Sequence, residues 1–342
     1  VNVAKSSERN LNLDLQNLAF LARVASMYYE DGLTQQRISE QVGYSRSAIS
    51  RFLTAAREAG VVEIRVHYPT QRDASLEAEL KDRFEVDPVW VLKTQNWSYP
   101  RMLTQLGALA ADLLVERIKN GMLLGVSWGT AVYEVVRALR PPHLPDLTVV
   151  QMIGALGTAD PQIDGGELAR SCARAFGGRY RILPAPAVVE SPGVRDGLMN
   201  DRPVRDALSM AGAADAAILG IGTLEPSLSS LVRAEYLTQD ELMDIAGGGA
   251  VGDVCAIFFD EEGQVLDTSI ARRVIGLPAE ALRKIPFCMG VAGGRVKAPA
   301  IRGALRSGLI NALVTDDQAA FNVLQIERQN GPRGQAALQT TR

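Results

Sequence analysis

Hydrophobic positions along this chain change their spacing twice. Between Leu18 and Leu53 they recur three and four residues apart, as on helices packed against one another. From Val62 to Tyr68 they alternate, with Ile64 and Val66 between Glu63, Arg65 and His67, the period of a strand covered on one face. After Asp73 the apolar runs are short and continuous: VWVL at Val89, MLLGVS at Met122, LTVVQMI at Leu147, AAILGIG at Ala216, VCAIFF at Val254, FCMGV at Phe287 and INALVT at Ile310. Strands apolar on both faces and separated by helical patterns, such as Ser75 to Phe84 and Arg101 to Asn120, predict a largely parallel sheet covered on both sides. The fold class is therefore α/β. Residues 1–70 form a winged helix-turn-helix domain, 71–328 an α/β effector domain with its boundary at the polar PTQRD, and 329–342 a disordered polar tail.

The helix-turn-helix reading rests on LTQQRISEQVGYSRSAISRFLTAAREAGV, Leu33 to Val61. Thr34 can cap a helix carrying Ile38 and Val42 on one face, Gly43 suits the turn, and Ser45 can cap a second helix with Ile49, Phe52 and Leu53 inside. A preceding helix, residues 17–29, would cover the pair with Leu18, Leu21, Ala22 and Ala25. The outer surface then holds Thr34, Gln35, Tyr44, Ser45, Arg46, Ser47, Ser50 and Arg51, whose donors suit phosphate oxygens and base edges of double-stranded operator DNA. A plain helical hairpin with solvated charges is the alternative. Against it, four arginines (Arg37, Arg46, Arg51, Arg57) face one acid, Glu40, between Thr34 and Arg57.

Charge elsewhere changes the picture little. Across 342 residues the net charge is −3, with 22% charged and 47% hydrophobic residues, so nucleic-acid binding has to be local. No run approaches eighteen apolar residues and the first residues lack a hydrophobic signal core, which predicts a cytoplasmic protein with no membrane partner. Cys172, Cys255 and Cys288 lack metal-ligand spacing and read as core residues. The two histidines, His67 and His143, stand beside no nucleophile. No metal, cofactor or catalytic residue is predicted.

Two glycine-rich strand ends carry ligand chemistry. In LLGVSWGTAVYEVVRAL a strand, tight loop and helix place Ser127, Gly129 and Thr130 where amides and hydroxyls can meet an anion at a helix N-terminus. The loop lacks the GK[ST] ending of a P-loop, and small residues also suit any strand-to-helix turn. In FCMGVAGGRVKAPAIRGAL, Lys297 opens a helix, where the macrodipole disfavours a cation unless an anion bridges it. The alternative is a solvated surface lysine. Asp253, at a strand start after a glycine-rich turn, can reach a sugar hydroxyl or simply cap its turn.

SEQVGYSRSAISRFLTAAREAGVVEIRV, GVSWGTA, the run from LGIGTL through YLTQDEL to GAVGDVCAIFFDEEG, ARRVIGL and VAGGRVKAPAIRGAL…INALVTDDQAA together resemble the SorC family of sugar-responsive transcriptional regulators, some of whose members are named DeoR. The resemblance spans about Leu18 to Leu324 in matching order. It implies a Rossmann-like C-terminal domain of the ribose-phosphate isomerase and glucosamine-phosphate deaminase type, used as a sensor, in a homodimer or homotetramer on operator DNA. It also implies a phosphate loop at Ser127, Trp128, Gly129 and Thr130 and an anion-binding lysine at Lys297. Gly165 and Gly166 fall where family members place polar ligand contacts, and Trp128 is bulky enough for its ring to stack on a sugar or fill part of the site.

The chain therefore reads as a transcriptional regulator, not an enzyme, controlled by a small carbohydrate, with a sugar phosphate as the leading effector. The alternatives are an unphosphorylated sugar or polyol as effector, a sugar-phosphate isomerase or deaminase, and an oligomerisation domain without a ligand.

Overall fold

The computed structural model describes residues 17–62, 70–94, 97–157 and 161–330. The predicted wing lies outside the described residues from Glu63 to Tyr68. Two compact units, Val1–Pro69 and Thr70–Arg342, divide the chain.

In the first unit α1 (residues 17–29), α2 (Gln35–Val42) and α3 (Arg46–Glu58) form a three-helix core around Val24, Ala25, Met27, Ile38, Ile49, Leu53 and Ala56. Leu18 and Ala22, predicted to cover the pair, are exposed. Leu21 and Ala25 lie on the inner stripe of α1 as expected, and the stripe is completed by Phe20, Val24 and Met27. Leu18, two positions from Phe20, points about 200° away from it around the helix.

The second unit contains helices α4 (Ala74–Phe84), α5 (Tyr99–Arg117), α6 (Thr130–Ala138), α7 (Gly165–Phe176), α8 (Pro192–Asn200), α9 (Arg202–Gly212), α10 (Ser230–Arg233), α11 (Gln239–Gly247), α12 (Ala279–Leu282), α13 (Ala298–Ser307) and α14 (Asp317–Asn330). Its strands are β1 (Val89–Leu92), β2 (Leu123–Val126), β3 (Thr148–Gln151), β4 (Arg179–Arg181), β5 (Ala216–Gly220), β6 (Gly222–Thr223), β7 (Gly252–Val254), β8 (Ile257–Phe259), β9 (Phe287–Val291) and β10 (Ala312–Asp316). Seven of them make a wholly parallel sheet in the order β1-β10-β9-β5-β2-β3-β4. Alternate residues enter opposite cores: Ala217 and Leu219 of β5 face one, Ala216 and Ile218 the other. That is why these strands read as continuous apolar runs.

Three differences from the sequence reading are local. VCAIFF is not one strand but the hairpin β7–β8, which pairs Val254 with Ile257 across a two-residue turn. Cys255 and Ala256 both take positive φ there, 53° and 58°, and neither carries the Asn-Gly signal by which such turns are recognised. The short β4 and β6 escaped prediction because RYR is polar and exposed at the sheet edge and β6 has only two residues. Gln329 and Asn330, expected in the tail, belong to α14; residues 331–342 lie outside the described residues.

Helices α13 and α14 are joined by a buried ion cluster. Arg302 is 1% exposed and donates to Glu327 at 2.9 Å; Arg306 and Arg83 reach the same carboxylate at 2.6 and 3.1 Å. Burial opposes ionisation of Glu327, but hydrogen bonds from Arg306 and Arg302 outweigh it and hold the carboxyl below its ordinary range. Removing one partner of such a cluster strands the others, so Glu327→Ala should cost about 3–5 kcal/mol in urea unfolding. Because the folded pKa is depressed, the wild-type contribution is complete above about pH 4.3 and fades as pH falls through the lower folded value. The difference between wild type and variant should shrink in the same acid range.

Candidate functional site

Strand β2 lies between β3 and β5: the chain first winds outward through β3 and β4, then crosses to β5 on the other side. In an open α/β sheet that reversal leaves a crevice beyond the strand ends. Gly220 at the end of β5 donates its amide to Ser127 Oγ at 3.2 Å, and the Ser127 amide donates to Ile218 at 3.1 Å, so the two strand ends are tied together.

A cavity of about 40 Å³ opens at this junction. Trp128, Gly129 and Thr130 line it from the β2–α6 loop, Gly220, Ile221 and Gly222 from the end of β5, Asp253 and Cys255 from the β7–β8 hairpin, and Lys297 from the start of α13. Helix α6 has no side-chain cap, and Gly129 before it holds φ at 111°, a backbone state that disfavours other residues. The Gly129 amide is already used by Ile163 at 3.1 Å, so the donors left to an anion are the first-turn amides of α6.

Lys297 departs from the solvated surface lysine that its residue type suggests. It ends the 3-10 turn Arg295–Lys297, is 9% exposed, and donates to the Ile221 carbonyl at 2.7 Å. Burial pushes its pKa down to about 8, with Asp253 opposing and Arg233 assisting that fall. Asp253 accepts from the Ala256 amide at 3.0 Å, and burial pushes its carboxyl up to about 6 against that hydrogen bond and Lys297. A side chain at Gly222 would place its Cβ 1.9 Å from Asp253 Oδ1, so the carboxylate occupies the space that this glycine leaves.

The structure brings Trp128, Gly129, Thr130, Asp253 and Lys297 to one cavity. Ser127 sits behind them, buried in the β2–β5 tie. Gly165 and Gly166 do not line the cavity: they open α7 beneath the Asp164 cap and back onto the Gln151 side chain. Trp128 is buried in the core rather than presented as a free ring. Cys255, Leu228, Ser230 and Leu231 were not predicted as cavity residues, because isolated residues in turns and a one-turn helix carry no periodic signal. Burial drives the Cys255 thiol up to about 12, which leaves it a packing residue and not a nucleophile. Among the described residues no group of His, Cys, Asp and Glu could hold a metal ion, and no helix is long and apolar enough to cross a membrane.

In the first unit Thr34 caps α2 by accepting from the Arg37 amide at 3.3 Å, and Ser45 caps α3 by accepting from Ala48 at 3.2 Å. Gly43 takes φ 76° at the turn. Arg46, Ser47, Ser50 and Arg51 are exposed on one side of α3, and neither arginine has an ion-pair partner among the described residues. Tyr44 is 48% exposed while its ring packs against Phe20 and Phe52, centroids 5.5 and 5.2 Å away, so it also holds the turn. Thr34, Gln35 and Arg46 share an open groove with Tyr28 and Tyr29.

Residues 68–325 match the family model Sugar-bind, a sugar-binding domain. The chain is 35% identical over 324 residues to the transcriptional regulator LsrR of Klebsiella pneumoniae subsp. pneumoniae, covering 93% of this chain and 96% of that one. It belongs to the SorC family. This SorC-family chain is also 30% identical over 308 residues to the deoxyribonucleoside regulator of Bacillus subtilis, covering 90% and 98% of the two chains. The crystal structure of the full-length sorbitol operon regulator SorC from Klebsiella pneumoniae matches with a TM-score of 0.68 and 27% identity over 90% of this chain and 99% of that one. The protein is a transcriptional regulator with a sugar-binding domain.

Asp253 offers a check on the cavity's electrostatics. Its folded pKa lies above the unfolded value near 3.9, so the folded state holds the extra proton and loses stability as pH rises from about 4 to about 6. Between about pH 4 and pH 7.5 the wild type should lose on the order of 2–3 kcal/mol that Asp253→Asn retains. Parallel thermal unfolding of the two proteins across that range measures it.

Proposed function

We propose that this regulator is controlled by a monosaccharide phosphate bound in the β2–β5 crevice, and that occupancy alters the affinity of a homodimer or homotetramer for operator DNA in the cytoplasm. The observation that carries the reading is Lys297, a buried cation set beside the uncapped N-terminus of α6 in one cavity. An ammonium taken out of water is costly unless an anion or a full set of hydrogen-bond partners meets it, and one carbonyl uses one of its three donors. A phosphate accepting from Lys297 and from the α6 amides meets that need. Asp253 would then accept from a sugar hydroxyl, and Trp128 would form a wall beside the ring. Energy for switching is the effector's difference in affinity between the DNA-bound and free arrangements.

An isomerase or deaminase would need a base at the reacting carbon. Asp253 is the one carboxylate in the cavity wall, already engaged with Ala256, and the named relatives are regulators. The protein should therefore bind sugar phosphates without converting them.

Lys297→Ala should weaken a bound sugar phosphate by about 1.5–3 kcal/mol, roughly ten- to a hundredfold, measured by calorimetry. The unphosphorylated sugar should bind poorly to both proteins. Equal affinity of wild type for the two forms would leave a neutral sugar or polyol as the effector. For the DNA, Arg46→Ala with Arg51→Ala should abolish the operator mobility shift at physiological salt and leave effector binding unchanged. At lower salt the slope of log affinity against log salt should fall by about 2 if both arginines meet phosphates. Footprints should show two half-sites about 34 Å, or a multiple of it, apart.

A further inference from the structure

The chain enters the second unit along an edge of the parallel sheet, and it is held there by more than an edge requires. Strand β1 is the outermost strand, beside β10. Its outward backbone groups are met by the incoming residues: the Lys93 amide donates to the Gln71 carbonyl at 2.8 Å, and the Asp73 amide to the Val91 carbonyl at 2.8 Å. Sheet edges are commonly blunted by a charge, a proline or a bulge alone. Here Arg72 adds a fitted clasp. Its guanidinium donates to both oxygens of Glu77 at 2.7 Å and lies over the Trp90 ring, 4.1 Å from the centroid. Glu77 also accepts from the Val91 amide at 2.9 Å, so Arg72 is fastened to β1 from two sides. Exposed ion pairs in general hold little, but a bidentate pair stacked on a ring keeps a side chain in one place.

The other end of β1 is tied toward the effector cavity. Thr94, 4% exposed, donates its amide and its hydroxyl to the two oxygens of Asp317 at 3.1 and 2.6 Å. The preceding residue, Asp316, ends β10 and accepts from the amides of Gly294, Gln318 and Ala319. Gly294 leads into the turn Arg295–Lys297. A Cβ on Gly293 would stand 2.6 Å from Asp316 Oδ2, so the backbone entering that turn rests directly on the carboxylate. Two successive aspartates thus join the turn that carries Lys297 to the strand that holds the incoming chain.

We propose that Arg72 is a latch fixing the start of the tether to the three-helix unit, and that Asp316 and Asp317 couple this latch to the effector cavity. The inference rests on the reading of the cavity given above and adds the route by which its occupancy reaches operator affinity. Closed, the latch anchors the tether at the sheet edge, which raises the effective concentration of a second three-helix unit at the second half-site once the first is bound. Open, it frees residues 71–73, about 10 Å of extended chain, and the second half-site is met less often. Opening breaks two backbone hydrogen bonds and leaves the seven-stranded sheet intact, so it is a local step. The effector's share is its difference in affinity for the closed and open forms.

Hydrogen exchange of the full-length protein tests both halves, read on peptides containing Asp73, Lys93 and residues 294–297, with inorganic phosphate as the probe. Arg72→Gln should speed exchange of the Asp73 and Lys93 amides by about three- to tenfold and leave the melting temperature and the β10 amides unchanged. No change at those two amides overturns the latch. Saturating phosphate should shift exchange several-fold in wild type at residues 294–297 and at Asp73 and Lys93. In Thr94→Val the shift should remain at 294–297 and vanish at Asp73 and Lys93, while Thr94→Ser, which keeps the hydroxyl, should retain both. Persistence of both shifts in Thr94→Val, or a wild-type shift at 294–297 alone, overturns the coupling and leaves the phosphate reading standing. A wild-type shift at neither place overturns both. A mobility shift adds a readout that a merely structural role would not move: Arg72→Gln should bind a duplex with both half-sites several-fold more weakly than wild type, and a duplex with one half-site equally well. Equal loss on the two duplexes, or loss on neither, overturns the latch as a control of DNA binding.

Discussion

Placing an ammonium and a carboxylate in the wall of one small cavity is the constraint on which the effector domain depends. Each ion loses water on folding, and each therefore keeps a hydrogen bond to the backbone: Lys297 to Ile221, Asp253 from Ala256. The local geometry follows from these demands. Gly222 lacks a side chain where the Asp253 carboxylate sits, and the Cys255–Ala256 turn holds two residues at positive φ so that the Ala256 amide faces that carboxylate. Neither arrangement is the most stable one for its own residues. Local strain and desolvated charge at one place are how a fold holds binding groups ready for a ligand.

The sheet provides the stiffness that such an arrangement needs. All seven strands are parallel, and the inner ones, β2 and β5 among them, are covered on both sides by apolar side chains, so the ends of β2 and β5 are set by a large core rather than by the loops themselves. Ser127 is the point where core and site meet: predicted as a phosphate ligand, it instead ties the two strand ends through the Gly220 amide. On the opposite side, the Arg302–Glu327 cluster fixes α13, the helix that follows Lys297, against α14. Leu231 and Leu237, in the stretch beside the cavity, are buried in the same core, and Tyr236 donates to the Ala155 carbonyl.

The N-terminal three-helix unit shows the reverse relation between local and tertiary signals. Its caps, its turn glycine and its arginine-bearing face are all short-range features, and Thr34, Gly43 and Ser45 do in the structure what their residue types suggest. Sequence reading found half of the inner face of α1. Leu21 and Ala25 pack into the core as expected, but Leu18 and Ala22 are exposed, and the stripe continues instead through Phe20, Val24 and Met27, a shift that only packing against α2 and α3 decides.

The same division runs through the whole protein. The amino-acid sequence by itself determined the α/β class, the helix-turn-helix, the family and the oddity of a lysine at a helix start, because periodicity, capping and local charge are encoded within a few residues. Only the tertiary structure decided that Lys297 is buried, that Asp253 joins it in one cavity wall across about 40 residues of chain, that Gly165 and Gly166 stand away from the cavity, and that Leu228, Ser230 and Leu231 line it. Those outcomes depend on which strand ends become neighbours and how much water they exclude. Desolvation and strand order are properties of the assembled chain, and no window of sequence contains them.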